Sequence, residues 1–291
     1  MNKLEIPSLR DRLLYRDDGV LILDKPSGLA VHPGGTGVAH LGPCLETLRF
    51  DQPEPPKLAH RLDRGTSGCL VLGRNREALK KLGRLFASGR VEKIYWTLTL
   101  GAPPEETGII DKPLLKLDPR RGKMAIDLAG QEARSEWRIL GRSGDIAWLE
   151  MKPLTGRSHQ LRAHLASIGC PILGDRLYGA GGADQLSPEL CLLARSISLP
   201  LYWQRPPITA EAPPPPHMLE GLAAVEMEFI DGLVEDRGIF LTPPDGRSNA
   251  MRMYVPRAAL RNLTVLGYIT APSKRTPRKG SDPSQADLFE A

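Results

Sequence analysis

Apolar runs bounded by turn-forming residues predict several buried strands in this chain. Residues 19–24 make one compact run, which the turn Lys25-Pro26-Ser27-Gly28 ends. A second run covers residues 69–72 and follows the small, flexible stretch Gly65-Thr66-Ser67-Gly68. Further strands are predicted at residues 133–140, 145–151 and 190–201.

Apolar residues at helical spacing predict two longer helices. The first begins after Asn75, a good N-cap, and ends at Gly89, a good C-terminal stop. The second ends at Gly169, and Thr155 or Ser158 is its predicted cap. A short helix is also predicted over residues 43–50. The apolar positions of the two longer helices are Ala78, Leu79, Leu82, Leu85 and Phe86, then Leu161, Leu165 and Ile168.

Residues 92–101 alternate between apolar and polar side chains, which predicts a strand with two different faces. Tyr95 shares the polar face with Lys93, Thr97 and Thr99. The simple interpretation is an amphipathic tyrosine on a solvated sheet face. The functional alternative is an aromatic ring against which a nucleobase packs, since every base has a π-face.

The remaining segments lack a clear period. Residues 1–17 are predicted to be a charged lead-in, residues 31–43 a loop, and residues 206–216 a proline-rich segment that crosses the surface. Residues 226–270 contain short apolar runs between Pro and Gly, which predicts a small β-rich extension of unassigned role. Residues 271–291 are polar and charged, so a disordered tail is expected there.

Composition narrows the class of protein only slightly. The chain has 291 residues, enough for one large domain with or without an appendage. Its net charge of +5 and pI of about 9.1 modestly favour an anionic partner. Four widely spaced cysteines without a C-x-x-C pair predict reduced cysteines, not a disulfide framework or a zinc site. No signal peptide or membrane-length apolar run is present, so a cytoplasmic protein without membrane contact is expected.

The most informative stretch for chemistry is His60-Arg61-Leu62-Asp63-Arg64, just before the second apolar run. Positive charge near a carboxylate favours its ionised form, and arginines can bind phosphate in a bidentate way. An ionised acid in a loop can act as a nucleophile or as a proton acceptor. The alternative is a surface turn in which Asp63 and an arginine form an ordinary ion pair.

The longer stretch, His-Arg-Leu-Asp-x-x-Thr-Ser-Gly at residues 60–68, resembles the signature of the RluA family of RNA pseudouridine synthases. Two more stretches resemble that family in the same order. Lys93-x-Tyr95 is similar to its second motif. Thr-Gly-Arg-Ser-His-Gln-Leu-Arg-Ala-His-Leu at residues 155–165, with the segment 171–179 after it, is similar to its third.

The resemblance implies an α+β domain whose central sheet is mixed, largely antiparallel and flanked by helices around an RNA-binding cleft. It implies that Asp63 is catalytic, that Tyr95 lines the base pocket, and that Arg162 pairs with Asp63. The implied reaction isomerises specific uridines in structured RNA to pseudouridine, with no cofactor and no metal. Basic residues expected to contact RNA are Arg61, Arg64, Lys93, Arg120, Arg121 and Arg157.

The resemblance ends near residue 225, which divides the chain into a catalytic domain at 1–225, an extension at 226–270 and a tail at 271–291. It leaves no room for the N-terminal S4 domain that many members have. The tail ends in Gln285-Ala286-Asp287-Leu288-Phe289, which resembles the peptide by which some bacterial proteins bind the DNA sliding clamp. A monomer is expected.

Other functions remain open at this point. A glycosidase normally needs two carboxylates flanking the bond, and only Asp63 lies in a motif. A catalytically silent RNA-binding protein on the same fold, or an interaction protein that acts through its extension, are further alternatives. The RNA substrate, large-subunit rRNA, tRNA or both, is not selected by the sequence.

Overall fold

The structure is a computed structural model that describes residues 9–33, 39–117, 122–219, 221–223, 239–241 and 253–255. Within these residues, ten strands form one large sheet. Its strands are β1 (Leu13–Arg16), β2 (Val20–Lys25), β3 (Lys57–Leu58), β4 (Ser67–Gly73), β5 (Glu92–Leu100), β6 (Thr107–Asp111), β9 (Arg134–Ser143), β10 (Ile146–Pro153), β11 (Leu192–Leu199) and β12 (Ile208–Glu211). A separate hairpin consists of β7 (Leu114–Lys116) and β8 (Met124–Ile126).

The sheet runs in the order β1-β2-β4-β11-β5-β10-β9-β6, with β3 paired to β4 and β12 paired to β11. Neighbouring strands are antiparallel except β4 and β11, which are parallel. The α+β architecture with a mixed, largely antiparallel sheet is therefore confirmed. Strands β2 and β4 are buried along their whole length, as their continuous apolar runs predicted.

In the described residues, two α-helices and one 3-10 helix have complete bounds, and residues 216–219 and 221–223 are also helical. Helix α1 spans Arg76–Ala87, and the Asn75 side chain caps it by accepting a bond from the Ala78 amide at 2.9 Å. Helix α2 spans Gln160–Ser167. The predicted cap for α2 is wrong, because the N-cap residue is His159 in a left-handed conformation and its side chain makes no capping bond. The predicted short helix is a 3-10 helix at Gly42–Leu48.

Strand β5 does not have the apolar face and the polar, solvated face that its alternating sequence predicted. The side chains of Thr97 and Thr99 are fully buried, because β5 lies between β11 and β10 in the middle of the sheet. The Thr97 hydroxyl donates to the Cys191 carbonyl at 2.8 Å, which satisfies it in the interior. The first half of the strand, with Lys93 and Tyr95, and its last residue, Leu100, are accessible to solvent at least in part.

Two edge pairings were not predicted. Residues 13–16 of the supposed lead-in form β1, and the proline-rich segment contains β12. Both strands are four residues long, too short for their period to stand out, and each pairs with a buried neighbour that supplies the hydrogen bonds. The cysteines are free, as predicted, and three of them are buried.

Contacts along the backbone divide the chain into two compact units, residues 1–235 and 236–291. In the second unit, β13 (Ile239–Leu241) and β14 (Met253–Val255) form an antiparallel pair. These strands lie in the segment predicted to be β-rich, whose boundaries and role remain predictions. Among the residues that the structure describes, no helix has the length and apolar character needed to cross a membrane.

Candidate active site

The loop that carries Asp63 lies between β3 and β4, and the turn after β2 holds it in place. The Lys25 ammonium donates to the carbonyls of Pro26, Leu29 and Arg64, at 2.8, 2.8 and 3.1 Å. The same turn bonds the loop through the Gly28 amide, which donates to the Arg64 carbonyl at 2.9 Å. Two elements far apart in sequence thus become one rigid support for Asp63.

Lys25 is fully buried, which is unusual for a lysine. Burial lowers its pKa to about 7, while the carboxylates of Asp63 and Asp24 act to raise it. Its three carbonyl partners match the three N–H bonds of an ammonium group. Lys25 is therefore a buried amino group whose carbonyl partners tie the turn after β2 to the Asp63 loop, whereas its sequence context indicated only a turn.

Gly68, at the end of this loop, permits a close approach of two strands. Its φ is +100°, and a Cβ at this position would lie 2.3 Å from the Ala194 carbonyl oxygen. Ala194 in β11 pairs with Gly68 on one side and with Tyr95 in β5 on the other. The register therefore brings the end of the Asp63 loop and Tyr95 into one row across the sheet.

Tyr95 lines the same cavity as Asp63. Burial raises the pKa of its hydroxyl above the ordinary value, and the negative charge of Asp63 adds to the shift. The hydroxyl therefore stays protonated at neutral pH. A neutral, partly accessible ring that lines the cavity suits packing against a base.

The turn between β10 and α2 is fixed by Gln160, which is buried. Its amide nitrogen donates to the Arg134 carbonyl at 2.8 Å and to the Ser135 hydroxyl at 2.9 Å. Its amide oxygen accepts from the Thr155 hydroxyl at 2.7 Å and from the Arg157 amide at 3.0 Å. With both ends of the amide engaged, Gln160 ties the start of α2 to β9 and so sets where Arg162 points.

Arg162 faces two carboxylates. It binds Asp175 with two short bonds, from Nε at 2.8 Å and from Nη2 at 2.7 Å. Its Nη1 lies 3.5 Å from Oδ2 of Asp63, at the long limit of hydrogen bonding. The predicted pairing of Arg162 with Asp63 is present, but the bidentate partner is Asp175, which the sequence analysis had not singled out.

His159 is the second side chain, after Arg162, that lies beside Asp63 and can donate a hydrogen bond. Its Nε2 lies 3.8 Å from Oδ2 of Asp63, and its Nδ1 lies 3.0 Å from the Tyr178 hydroxyl. Burial lowers the pKa of His159, although the carboxylate of Asp63 acts in the opposite direction. In the described part of the chain, the side chains that contact the Asp63 carboxylate are those of Arg162 and His159, not the flanking arginines.

A cavity of about 770 Å³ opens above these groups. The predicted residues Asp63, Tyr95 and Arg162 all line it, and so do the predicted RNA contacts Arg61, Lys93 and Arg157. Arg64 instead turns away and donates to the Gly28 carbonyl at 3.0 Å. Arg120 and Arg121 lie outside the described residues.

The cavity is positively charged. Its lining includes five Lys or Arg side chains, those of Arg61, Lys93, Lys152, Arg157 and Arg162, against the two carboxylates of Asp63 and Glu92. A strongly basic concave surface attracts a polyanion such as a nucleic acid backbone. At its floor, Asp63 keeps acceptor capacity that Arg162 and His159 do not fill, so its carboxylate can attack an electrophilic carbon or take a proton.

Four supporting residues escaped the sequence analysis: Lys25, His159, Asp175 and Tyr178. All four occur inside or next to the stretches that had drawn attention. Their supporting role depends on contacts with residues between 13 and 96 positions away, which a local pattern does not show. His159, Asp175 and Tyr178 lie within the stretches 155–165 and 171–179 that resemble the third motif, and this was the signal that could have found them.

Comparison with known proteins gives a consistent result. The family model described as RNA pseudouridylate synthase matches residues 19–167, and a family model of unknown function matches residues 216–267. The chain is 40% identical over 213 residues to an uncharacterised RNA pseudouridine synthase of Zymomonas mobilis, covering 72% of this chain and 96% of that protein.

Two other matches extend this likeness. The dual-specificity RNA pseudouridine synthase RluA of Escherichia coli is 35% identical over 189 residues, 64% of this chain and 85% of its own length. The solved structure of human RNA pseudouridylate synthase domain containing 4 superposes with a TM-score of 0.63 at 27% identity, covering 74% of this chain and 93% of that one.

Proposed function

Since this chain belongs to the RNA pseudouridylate synthase family and has relatives of the RluA type, we propose that its reaction takes place in the cavity that holds Asp63. The chain is an isomerase that converts uridine in RNA to pseudouridine. The observation that best supports this location is Asp63 itself, a carboxylate with unused acceptor capacity at the floor of a basic cavity beside Tyr95.

The isomerisation breaks the bond between N1 of uracil and C1′ of ribose, turns the base, and joins C5 to the same C1′. The hydrogen on C5 leaves as a proton and N1 gains one, so no electrons enter or leave. Asp63 fits two roles in this sequence, as a nucleophile or as the acceptor of a proton. Arg162 orients the carboxylate in either role.

A uridine has to leave its stack before its glycosidic bond can be reached, and this costs a few kcal/mol. The ring of Tyr95 offers a surface on which the displaced base packs. Arg61, Lys93 and Arg157 line the mouth of the cavity and hold the phosphates that flank it. Arg120 and Arg121 are further proposed RNA contacts, on the segment between β7 and β8. Arg64, bound to the Gly28 carbonyl, supports the loop and contributes charge at its outer side.

The substrate is proposed to be a structured RNA, either large-subunit rRNA, tRNA or both. Support comes from the dual-specificity relative of Escherichia coli and from the basic cavity. The enzyme is proposed to act as a cytoplasmic monomer without metal or cofactor.

A transcriptome-wide pseudouridine map, made with and without this protein, tests the function and finds the target. We expect a small number of uridines in rRNA or tRNA to lose the modification when the protein is removed. Purified protein should then restore pseudouridine at the same positions in transcripts made without modification. Maps that do not differ, together with no product on any RNA, would contradict the proposal.

The catalytic unit is proposed to end near residue 225, because all the residues that line the cavity precede residue 193. A chain ending at residue 235, where the first compact unit ends, is a useful control for one ending at 225. Both should keep turnover on a short RNA. Loss of turnover in both folded truncations would show that the extension takes part in catalysis.

The tail peptide Gln285–Phe289 is proposed to bind the DNA sliding clamp. It lies outside the described residues, so the proposal rests on its sequence alone. The intact protein should retain purified clamp, and the Leu288→Ala, Phe289→Ala double variant should not. No retention by the intact protein would end this proposal.

A further inference from the structure

Tyr178 and His159 form a chain of contacts that leads from the β7–β8 hairpin to Asp63. The Met124 amide in β8 donates to the Tyr178 oxygen at 2.8 Å. That oxygen lies 3.0 Å from Nδ1 of His159, and Nε2 on the far side of the ring lies 3.8 Å from Asp63. The imidazole thus stands between a hydroxyl and a carboxylate.

The donors and acceptors in this chain can be assigned from their chemistry. A backbone amide only donates, so the Tyr178 oxygen accepts from Met124 and its own hydrogen is free for Nδ1. An ionised carboxylate only accepts, so the nitrogen facing Asp63 has to carry a hydrogen. A neutral imidazole protonated on Nε2 meets both conditions.

The surroundings of His159 agree with the neutral form. The ring faces Asp63 and Arg61 from the loop before β4, Arg162 from α2, and Asp175 and Tyr178 from the segment after α2. Lys123, the residue before β8, has its Nζ 5.9 Å from the centre of the Tyr178 ring. The two arginines oppose a further positive charge, and burial acts in the same direction.

The backbone of His159 is also unusual. Its φ of 51° is left-handed, which among the described non-glycine residues is shared only with Phe50 and Gln204. This conformation is uncommon for residues other than glycine, among which Asn, Asp and His adopt it most often, and it ends the turn from which α2 begins.

We propose that His159 is a positioning residue that presents its Nε2–H to Asp63, and that the Tyr178 hydroxyl holds it in this tautomer. The inference rests on the proposed catalytic role of Asp63. Together with Arg162, His159 then sets which oxygen of the carboxylate faces the ribose and which stays bound to protein. Contacts of this kind are often long in free enzymes and shorten in the complex with substrate, which fits the 3.8 Å separation.

A matched pair of variants separates this role from a structural one. In His159→Gln the amide nitrogen can reach the position of Nε2, whereas in His159→Asn the shorter amide can reach Tyr178 but not Asp63. Asparagine tolerates the left-handed backbone better than glutamine does. A purely structural role would therefore make His159→Asn the less damaged enzyme.

Our inference predicts the opposite order for turnover. We expect kcat to fall by about 10–100-fold in His159→Asn, the usual scale for residues that orient a reactive group, and to recover at least partly in His159→Gln. The KM for RNA should change little in both. Equal kcat values for the two variants, or a higher kcat for His159→Asn, would overturn the inference.

Nitrogen-15 NMR of histidine-labelled protein tests the tautomer without any activity measurement. At pH 7 the His159 signals should show a neutral ring with hydrogen on Nε2, and Tyr178→Phe should weaken that preference. A ring protonated on both nitrogens, or on Nδ1 alone, would contradict the assignment. If Asp63→Asn keeps turnover, the proposed role of Asp63 fails, while the NMR result still reports on His159 separately.

Discussion

Arg162 faces two carboxylates that the fold treats in opposite ways. Asp175 has a fully buried side chain, accepts two short bonds from Arg162, and accepts two more from the amides of Leu177 and Tyr178 at 3.0 and 3.1 Å. The Asp63 side chain is 18% exposed, and among the described residues its contacts are the longer ones to Arg162 and His159. Arg162 therefore contacts one carboxylate that accepts four hydrogen bonds, Asp175, and one that keeps free acceptor capacity, Asp63.

The difference shows how the protein keeps a reactive acid in place without disabling it. A carboxylate that accepts four hydrogen bonds is a poor nucleophile and a poor base, but a firm anchor. Asp175 is such an anchor, and it holds the guanidinium at a fixed angle. Asp63 benefits from the charge of that guanidinium and retains free lone pairs toward the cavity. Substitutions at the two acids should accordingly have different consequences.

Asp63→Asn should have the largest effect on turnover and almost none on stability. Asparagine has nearly the same size, but it is a poor nucleophile and a poor proton acceptor, so pseudouridine formation should fall by about 10⁴-fold or more. RNA binding depends mainly on phosphate contacts and should persist. The measurements are single-turnover assays and filter binding.

Asp145→Asn, at an exposed position outside the cavity, is the matched control and should behave like wild type. Turnover by Asp63→Asn at a rate comparable with wild type would remove the distinction between the two acids, since both would then be structural.

Tyr95 lines the same cavity as Asp63, and two substitutions separate its possible roles in the reaction. If its hydroxyl carries a proton in the reaction, Tyr95→Phe should lower turnover by about 10²–10⁴-fold. If the ring only supports the base, Tyr95→Phe should stay near wild type and Tyr95→Ala should be the damaging change. The burial that raises the pKa of this hydroxyl favours the second outcome, because it makes the proton harder to release. Two unaffected variants would remove Tyr95 from the site.

Asp175→Asn should act chiefly on stability. Removing one charge from a buried bidentate pair leaves Arg162 without its compensating partner, and such changes typically cost about 3–5 kcal/mol. We expect a loss near the lower end, because asparagine retains some hydrogen bonding. Urea unfolding measures it. Turnover should also fall, since Arg162 loses the contact that aims it at Asp63. A stability equal to that of Asp63→Asn would contradict the comparison.

The pH dependence of stability should give the smallest difference. Burial acts to raise the pKa of Asp175, but the bonds and charge of Arg162 and the amides of Leu177 and Tyr178 outweigh it, so the pKa is lowered. The unfolded chain therefore binds more protons at this site as the pH falls below about 4, and stability is lost toward the lower folded pKa. The slope is at most about 1.4 kcal/mol per pH unit.

Asp175→Asn removes this slope, whereas Asp63→Asn keeps it. The test is to measure the unfolding of wild type, Asp175→Asn and Asp63→Asn between about pH 5 and pH 3. The other acids contribute equally to the stability of each protein, so their contributions cancel in the differences. If the stability of Asp175→Asn depends on pH as steeply as that of wild type, the Arg162–Asp175 pair is not the source of this dependence.

Local sequence was sufficient for the elements that depend on local physics. The continuous apolar runs of β2 and β4 and the capped helix α1 were predicted within a residue or two, because period, burial and capping are properties of neighbouring residues. The short edge strands β1 and β12 were missed because four residues are too few for an alternating pattern to be recognised. Each forms a strand because it pairs with a buried neighbour.

The same distinction between local sequence and tertiary packing applies to the residues of the site. Asp63, Tyr95 and Arg162 could be named from the sequence by their motifs, and the structure brings all three to one cavity. That Arg162 is bound chiefly to Asp175, that Arg64 turns away, and that Lys25 and His159 reach the Asp63 loop could not be read from the chain. Residue type determines which chemistry is possible, whereas the choice among competing partners depends on distances that only the packed sheet and helices establish.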